Sequence, residues 1–148
     1  EIVSPVKGKL IRIKDVPDIT FSEEMVGKGV AVIPEENELY SPVCGTVTTV
    51  FPTSHAIGLT TKDGIDILLH IGLDTLNLKG EGFDVKVKEG DEVKAGDLLV
   101  VADFEKIKLA GYRLETPVII CNPEQCKKLT YTKPQAVNKG DVIIKYLK

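Results

Sequence analysis

The chain has 148 residues, of which 43% are hydrophobic and 28% charged, and its net charge is −3. This length suits one domain with a sizeable core, residues 1–148, and the acidic balance argues against a nucleic-acid binder, which needs a basic footprint. No apolar run approaches the roughly 18 residues of a membrane span, and the N-terminal EIVSPVKGKL lacks the apolar core of a signal peptide.

The three cysteines, Cys44, Cys121 and Cys126, cannot all pair with one another. An odd, low count without a secretion signal fits a reducing compartment, so we expect a cytoplasmic protein. Cys121 and Cys126 alone do not make a structural zinc site, because no second pair of ligands is evident. We therefore interpret the cysteines as packing residues or surface thiols.

Short strands separated by Gly, Pro and Asp dominate the predicted secondary structure, and Val and Ile are frequent in them. In chain order they cover residues 2–3, 8–13, 29–33, 45–51, 56–61, 65–71, 98–102, 117–120 and 142–147. The helical signals are brief, and none predicts a helix that could organise the fold. They are a turn over 23–26 capped by Ser22 and ended by Gly27, a turn over 105–110 opened by Asp103, and a start at Asn122-Pro123.

Two kinds of internal repeat accompany these strands. SPVKGKL (4–10) recurs as SPVCGTV (41–47), and a Gly-Asp turn recurs in KEGDEV (88–93), KAGDLL (94–99) and NKGDVI (138–143). Proline lacks a donor and suits a strand entering from an edge, whereas glycine permits a tight bend. The repeats predict an all-β fold: an antiparallel β-sandwich or flattened barrel with a duplicated motif and a few short helical turns.

The chain has only two histidines, His55 and His70, and both flank a hairpin signal at Lys62-Asp63-Gly64. Folding about residues 63 and 64 would place His70 opposite residue 57. His55 would then lie diagonally across from His70 on the same face, within reach of it. A slip of one residue in this register would break the predicted pair.

The sequence pattern alone leaves several roles of the histidine pair open. Either histidine could be a core residue with one hydrogen bond. A metal site would need a further ligand, for which Asp74 or Cys44 could approach. A hydrolase would need a nucleophile, and Ser54 adjoins His55 without forming a recognised elbow. Nucleophilic histidine chemistry needs only the two imidazoles, one to attack a phosphoryl group and one to hydrogen-bond it.

One long motif narrows these alternatives. GIDILLHIGLDTL (64–76) resembles the active-site signature of glucose-type enzyme IIA domains of the bacterial phosphoenolpyruvate:sugar phosphotransferase system, and every constrained position is met. Other typical segments are KGEGF (79–83), VPDITFSEEMVGKGVAVIP (16–34), SPVCGTV (41–47) and FPTSHAIGL (51–59). The resemblance covers nearly the whole chain, and it implies a compact antiparallel β-sandwich with a duplicated hybrid motif.

The resemblance also implies a biochemical function and the roles of individual residues. Such a domain takes a phosphoryl group from the phosphohistidine of the carrier protein HPr and passes it to a cysteine of the IIB domain of a sugar permease. His70 would be the phosphoacceptor through Nε2, with its Nδ1–H held by the backbone carbonyl of Gly72. His55 would hydrogen-bond the phosphoryl oxygens, and Thr53 would orient His55. No metal or nucleotide is required.

The family likewise implies a docking face shared by HPr and IIB. Asp18 and Asp74 would meet basic residues of the partners and steer encounter. Four apolar residues would border the site: Phe21, Val26, Phe51 and Leu68, the last standing where the family often has Phe. Core packing for the phenylalanines and turn or cap chemistry for the aspartates are the plainer interpretations. The domain would work in the cytoplasm, transiently at the inner face of the membrane through its permease.

Two rival interpretations remain. VKVKEGDEVKAGDLLVVAD (85–103) resembles half of a biotinyl or lipoyl carrier domain, although the lysine-bearing tip of those domains is missing. A metallopeptidase of related architecture would need more His and Asp ligands than the chain offers. A zinc ion bridging His55, His70 and a partner carboxylate is a further, regulatory hypothesis, as are regulatory protein partners.

Overall fold

The computed structural model describes residues 1–148 and consists of fourteen short strands, two short α-helices and three 3-10 turns. The strands are β1 Ile2–Val3, β2 Gly8–Arg12, β3 Lys28–Pro34, β4 Glu38–Tyr40, β5 Gly45–Val50, β6 Ala56–Thr61, β7 Asp66–His70, β8 Phe83–Val85, β9 Glu92–Val93, β10 Leu98–Ala102, β11 Thr116–Ile120, β12 Lys128–Tyr131, β13 Ala136–Val137 and β14 Val142–Leu147. The helices are α1 Ile19–Ser22 and α2 Phe104–Leu109, and the 3-10 turns are Ile13–Asp15, Thr75–Leu78 and Pro123–Gln125.

The strands form three antiparallel sheets. The largest has the order β13-β2-β3-β11-β7-β6-β5-β9, and the two three-stranded sheets have the orders β1-β14-β12 and β4-β10-β8. No sheet closes into a barrel, because the two edge strands of the largest sheet, β13 and β9, do not pair with each other. The predicted all-β antiparallel architecture is confirmed.

All nine predicted strands are present; four have the predicted bounds, and the others differ by one residue at one or both ends. Five further strands, β4, β8, β9, β12 and β13, have only two to four residues each. A segment this short shows too little alternation of apolar and polar residues to be recognised before its pairing partner is known.

The helical predictions had mixed outcomes. The turn predicted over 23–26 with Ser22 as its cap is wrong, because α1 ends at Ser22 and its cap is Asp18, whose carboxylate accepts the Thr20 N–H at 2.9 Å. The cap at Asp103 is confirmed by its bond from the Lys106 N–H at 3.1 Å.

The third predicted helix start, at Asn122, leads only into a 3-10 turn. The Asn122 side chain does not cap it but joins the β6–β7 hairpin, accepting from the Asp66 N–H and donating to the Gly64 carbonyl, both at 2.8 Å. A long-range contact therefore replaces the predicted local one.

The SPV repeat has the same local structure in both copies. The hydroxyl of Ser4 donates to the Val6 carbonyl at 2.7 Å, and that of Ser41 donates to the Val43 carbonyl at 2.6 Å. Both serines are almost completely buried. Each hydroxyl thus satisfies a carbonyl that the strand entrance would otherwise leave without a partner in the core.

The Gly-Asp turns complete the duplication. The Ser4 N–H donates to the Asp141 carbonyl and the Ser41 N–H to the Asp97 carbonyl, each at 2.7 Å. In both turns the aspartate carboxylate also accepts the backbone N–H three residues before it, at 2.8 Å. Two copies of one motif are therefore built from paired segments distant in sequence, as the repeats predicted.

Two apolar clusters hold the sheets together. The larger contains 25 buried residues, from Ile2 to Ile144. The smaller lies on the opposite face of β3 and β11, where Ala31 and Ile119 alternate with residues of the main core. It consists of Ile13, Val16, Phe21, Ala31, Leu73 and Ile119. This second cluster fixes α1 beside the end of β7.

Neither α-helix reaches the length and apolarity needed to cross a membrane.

Candidate active site

The β6–β7 hairpin delivers His70 to the site, with a register one residue away from the predicted one. His70 pairs with Ala56, not with residue 57. The Thr61 N–H donates to the Ile65 carbonyl at 2.9 Å, so the connecting loop has three residues centred on Asp63. The expected centre between residues 63 and 64 was wrong for that reason.

The two histidines nevertheless meet. Their ring centroids are 4.9 Å apart, and the ring planes form an angle of 79°. His55 precedes the first residue of β6 and follows Ser54, which has a left-handed φ of 59°. Its carbonyl still accepts the Ile71 N–H at 2.8 Å. Because the turn before β6 directs the ring, the shifted register does not separate the pair.

The backbone carbonyl of Gly72 fixes the tautomer of His70. His70 Nδ1 lies 2.8 Å from this oxygen, which can only accept, so Nδ1 carries the proton and Nε2 keeps its lone pair. Gly72 has a φ of 72°, and a Cβ there would lie 2.7 Å from Cγ2 of Thr75. Only glycine suits this close, left-handed position.

The imidazole of His55 is held by a residue of the turn that precedes β6. His55 Nδ1 lies 2.5 Å from the hydroxyl oxygen of Thr53, which can donate or accept. Only 5% of His55 is exposed. Aromatic edges flank both rings: Phe51 has its centroid 5.5 Å from that of His55, and Phe21 lies 4.9 Å from His70. Thr53, rather than its neighbour Ser54, supplies the hydroxyl to the ring.

Burial keeps both imidazoles neutral. It lowers the pKa of His55 to about 4, with a smaller lowering from the nearby His70. The pKa of His70 is also lowered by burial, although the Gly72 carbonyl and the charges of Asp18 and Asp74 act in the opposite direction. Near neutral pH the Nε2 lone pair of His70 is therefore available for attack on an electrophile.

The four predicted rim residues divide between two sides of the histidine pair. Phe21 belongs to the smaller apolar cluster, against which Val26 and Leu68 also pack, and it borders His70. Phe51 is half-buried and lies on the other side, against His55. Phe21 is 5% exposed, so it serves core packing and borders the site at once.

The two predicted aspartates both act electrostatically on His70. Asp18 also has the plainer role, since its carboxylate caps α1. Asp74 has a left-handed φ of 59°, and its side chain makes no capping bond. The site therefore has an acidic as well as an apolar border.

No group of three or more His, Cys, Asp and Glu residues is arranged to hold a metal ion. Cys44, considered above as a further ligand, accepts the Ala95 N–H at 3.3 Å instead. All three cysteines are free. The chain itself thus brings the two imidazoles together without a third side chain arranged to complete a metal site.

Thr75 has no role in the predictions from sequence, although it is a constrained position of the motif. Thr75 is fully buried, and its hydroxyl donates to the Ile71 carbonyl at 2.5 Å. The signal was its place five residues after His70, in the loop that supplies the Gly72 carbonyl.

Comparison with known proteins agrees with this geometry. The family model for the phosphoenolpyruvate-dependent sugar phosphotransferase system, EIIA 1, matches residues 1–126. The glucose-specific EIIA component of Staphylococcus aureus (strain COL) is 44% identical over 140 residues, which cover 95% of this chain and 84% of that protein. The glucose permease IIA from Mycoplasma capricolum has a TM-score of 0.91 at 41% identity, covering 97% of this chain and 93% of that one.

Longer relatives also match. The beta-glucoside-specific EIIBCA component of Bacillus subtilis (strain 168) is 52% identical over 124 residues, which cover 84% of this chain. The chain spans only 20% of that protein and 23% of the EIIBCA component of Halalkalibacterium halodurans. The motif-based resemblance is confirmed: the chain belongs to the enzyme IIA family of the phosphoenolpyruvate-dependent sugar phosphotransferase system and is a phosphoryl carrier domain, a phosphotransferase component of that system.

Proposed function

We propose that His70 accepts a phosphoryl group from the phosphohistidine of HPr and passes it to the IIB domain of a sugar permease during sugar uptake. The observation that carries this proposal is the bond between His70 Nδ1 and the Gly72 carbonyl, because it leaves the Nε2 lone pair free. Nε2 attacks phosphorus, and the electron pair of the breaking P–N bond returns to the ring nitrogen of the donor. A cysteine thiolate of IIB then attacks the same phosphorus and releases His70.

The surroundings of His70 suit this intermediate. Bond formation at Nε2 gives the ring a positive charge while Nδ1 keeps its proton. The Gly72 carbonyl and the charges of Asp18 and Asp74 favour a cationic ring, as their upward effect on the pKa of His70 indicates. Transfer thus depends on positioning and charge stabilisation, and it requires neither metal nor nucleotide.

His55 is the hydrogen-bond donor to the phosphoryl oxygens in this proposal. The Thr53 hydroxyl donates to His55 Nδ1, which leaves the proton on Nε2 pointing toward the phosphoryl group. The 2.5 Å separation of these atoms supports the role of Thr53. The pKa of about 4 supports a neutral ring with one proton, which can donate one bond.

Both partners dock on the face that surrounds the histidines. Its apolar border consists of Phe21, Val26, Phe51 and Leu68. Asp18 and Asp74 steer basic partners, and such contacts are small and transient. The EIIBCA names of the Bacillus subtilis and Halalkalibacterium halodurans relatives support IIB as the acceptor. The domain works in the cytoplasm, at the inner face of the membrane when it meets its permease.

Residues 1–148 act as one enzyme IIA domain in this proposal. A single 25-residue apolar cluster drawn from Ile2 to Ile144 supports that extent. A zinc ion bridging His55 and His70 would need a further ligand from a partner carboxylate, which limits it to a regulatory contact with another protein.

Intact-mass analysis tests the proposal. The chain is mixed with phosphoenolpyruvate, enzyme I and HPr, and the product is then treated with acid. We expect one added phosphoryl mass that is acid-labile and absent from a folded His70→Ala variant. No adduct on the parent chain, with active HPr confirmed, would reject the carrier function, and an adduct on His70→Ala would reject the assigned acceptor.

His55→Gln separates acceptance from onward transfer. Glutamine keeps a hydrogen-bond donor, so we expect acceptance from HPr to continue and transfer to IIB to slow. Rapid-quench measurement of phosphoryl loss to purified IIB gives the rate. Transfer at the parental rate would show that His55 has only a structural role.

A further inference from the structure

We propose that Thr75 is a positioning residue that holds the Gly72 carbonyl against His70 and thereby fixes the reactive tautomer. The inference deepens the proposed phosphoryl transfer and rests on it for its kinetic consequence, but its effect on the ring can be measured without any transfer. Two of the peptide groups between His70 and Thr75 are involved.

The first peptide group joins Ile71 to Gly72. Its carbonyl oxygen accepts the Thr75 hydroxyl at 2.5 Å, and Thr75 is fully buried, so no water competes for this bond. The N–H of Ile71 donates to the His55 carbonyl at 2.8 Å. Ile71 is therefore held on both sides: its N–H is bonded to His55, and its carbonyl oxygen is bonded to Thr75.

The second peptide group joins Gly72 to Leu73, and its oxygen is the one that accepts from His70 Nδ1. Its N–H donates to the Arg113 carbonyl at 3.1 Å. The orientation of the oxygen depends on the torsions of Gly72 between the two groups. Glycine has access to more of backbone space than any other residue, so its own torsions restrict this orientation little.

Thr75 restricts Gly72 in two ways. Its hydroxyl holds the preceding peptide oxygen, and its Cγ2 methyl would lie 2.7 Å from a Cβ at Gly72, so it packs against that backbone. Asp74 supports the return of the chain with a left-handed φ of 59°. The bond from the Thr75 hydroxyl to the Ile71 carbonyl, here called the clasp, therefore closes the loop. The His70 ring is bonded to the Gly72 carbonyl inside this loop.

The functional consequence concerns which nitrogen of His70 carries the proton. When the Gly72 carbonyl faces Nδ1, the proton stays on Nδ1 and Nε2 can attack. Without the clasp, the peptide rotates, and the tautomer with its proton on Nε2 becomes populated. That form cannot attack through Nε2, and misplacement of the ring lowers the rate further.

The test uses three variants in the full chain. Thr75→Val keeps the methyl and removes the hydroxyl, and Thr75→Ser keeps the hydroxyl and removes the methyl. Thr61→Val is the matched control: it removes a nearly buried hydroxyl at the far end of the same hairpin, where Thr61 Oγ1 accepts the Ile65 N–H. Circular dichroism and thermal unfolding confirm that each variant folds.

The primary readout is the ¹⁵N chemical shift of the two His70 ring nitrogens, which reports the tautomer directly. We expect the parent chain, Thr75→Ser and Thr61→Val to show Nδ1–H, and Thr75→Val to show a mixture of tautomers. Acceptance from HPr should fall about tenfold in Thr75→Val and less than about threefold in Thr75→Ser. If Thr75→Val does not fold, Thr75→Cys, with its weak donor, replaces it.

The outcomes separate the two proposals. An unchanged Nδ1–H tautomer in Thr75→Val overturns the positioning role, whatever happens to the rate. A mixed tautomer with an unchanged rate also overturns it, because the clasp would then have no kinetic effect. A mixed tautomer in a chain whose parent accepts no phosphoryl group supports the effect of Thr75 on the ring and rejects phosphoryl transfer instead.

Discussion

The two copies of the SPV motif make matching hydrogen bonds, whereas the segments that follow them differ. In the first copy, β2 leads through a 3-10 turn into α1, which brings Phe21 and Asp18 to His70. In the second, β5 leads through a short turn into β6, which brings Phe51 and His55 to the same place. The duplicated motif thus builds both sides of one site.

This difference teaches where the chemistry of the chain resides. The repeated serines, glycines and Gly-Asp turns make matching hydrogen bonds in both copies, and none of these bonds involves a histidine ring. The connections carry the residues that differ: an acidic cap and a buried aromatic ring on one side, an imidazole and a half-buried aromatic ring on the other. A rigid repeated scaffold with diverged loops is a common basis for binding and catalysis.

The largest expected effects concern the glycine of each SPV copy, and they test whether both copies require glycine to the same degree. A Cβ at Gly8 would lie 2.0 Å from the Ile33 carbonyl oxygen, and one at Gly45 would lie 2.2 Å from that of Thr60. Each Gly→Ala change forces neighbouring strands apart, so we expect a loss of about 3 kcal/mol or more in the free energy of unfolding. Urea denaturation measures it.

Gly96→Ala is the control for those two variants. Gly96 has a φ of 96°, and no atom lies within 4 Å of a Cβ placed there. The strain is then that of the backbone alone, about 1 kcal/mol. Equal losses for Gly45→Ala and Gly96→Ala would show that close strand approach does not explain why both copies have glycine at this position.

The pH dependence of stability tests the side of the site that the second SPV copy builds, where His55 lies. Folding lowers the pKa of His55 from the ordinary 6.5 to about 4. Between these values only the unfolded chain takes up the proton. The stability contribution of the neutral ring is therefore present above pH 6.5 and is lost as the pH falls toward 4, by about 3 kcal/mol.

His55→Gln isolates this contribution, because glutamine does not titrate. Urea unfolding of the parent and the variant at several pH values between 7.5 and 4.5 gives the difference between their slopes. A parent chain that loses no more stability than His55→Gln over this interval would contradict the buried, neutral state of His55.

The two aromatic flanks should differ in their effect on stability. Phe21 is 5% exposed within the smaller apolar cluster, so Phe21→Ala should lower the free energy of unfolding by about 3 kcal/mol. Phe51 is half-buried, and Phe51→Ala should cost about 1 kcal/mol. Thermal and urea unfolding of both variants measure the difference, and a larger loss for Phe51→Ala would reverse the assignment of a structural and a peripheral flank.

The smallest expected effect is electrostatic and concerns the first side. Asp18→Asn keeps an oxygen to cap the Thr20 N–H but removes a charge that raises the pKa of His70. We expect the pKa of His70 to fall further, as measured by NMR titration of its ring protons. Asp84→Asn, a change at an exposed aspartate of β8, is the control and should leave the titration unchanged. An unchanged or higher pKa in Asp18→Asn would exclude this electrostatic coupling.

Much of the site follows from local patterns in the sequence. The motif around His70, the FPTSHAIGL segment and the intervening turn signal predicted a histidine pair, and the structure brings the rings to 4.9 Å. The resemblance to enzyme IIA domains implied the Gly72 carbonyl as the partner of Nδ1, which the structure places at 2.8 Å, and Thr53 as the partner of His55. These features are local because each joins residues two positions apart, or residues across one hairpin.

Other features depended on the tertiary structure. Asp18 caps α1 where Ser22 was predicted to cap, because this placement buries Phe21 against Leu73 and Ile119, which come from remote segments. The hairpin register depended on a three-residue loop closed by Thr61 and Ile65. Local propensity does not distinguish such alternatives when their local energies are similar.

The sequence by itself therefore determined nine of the strands, the duplication and the pairing of the two histidines, because apolar alternation, Gly-Asp turns and closely spaced side chains act over a few residues. The tertiary structure alone decided the α1 cap, the hairpin register and the shortest strands. Those features gain their energy from burial and from hydrogen bonds to segments far along the chain, which become definite only when the sheets assemble.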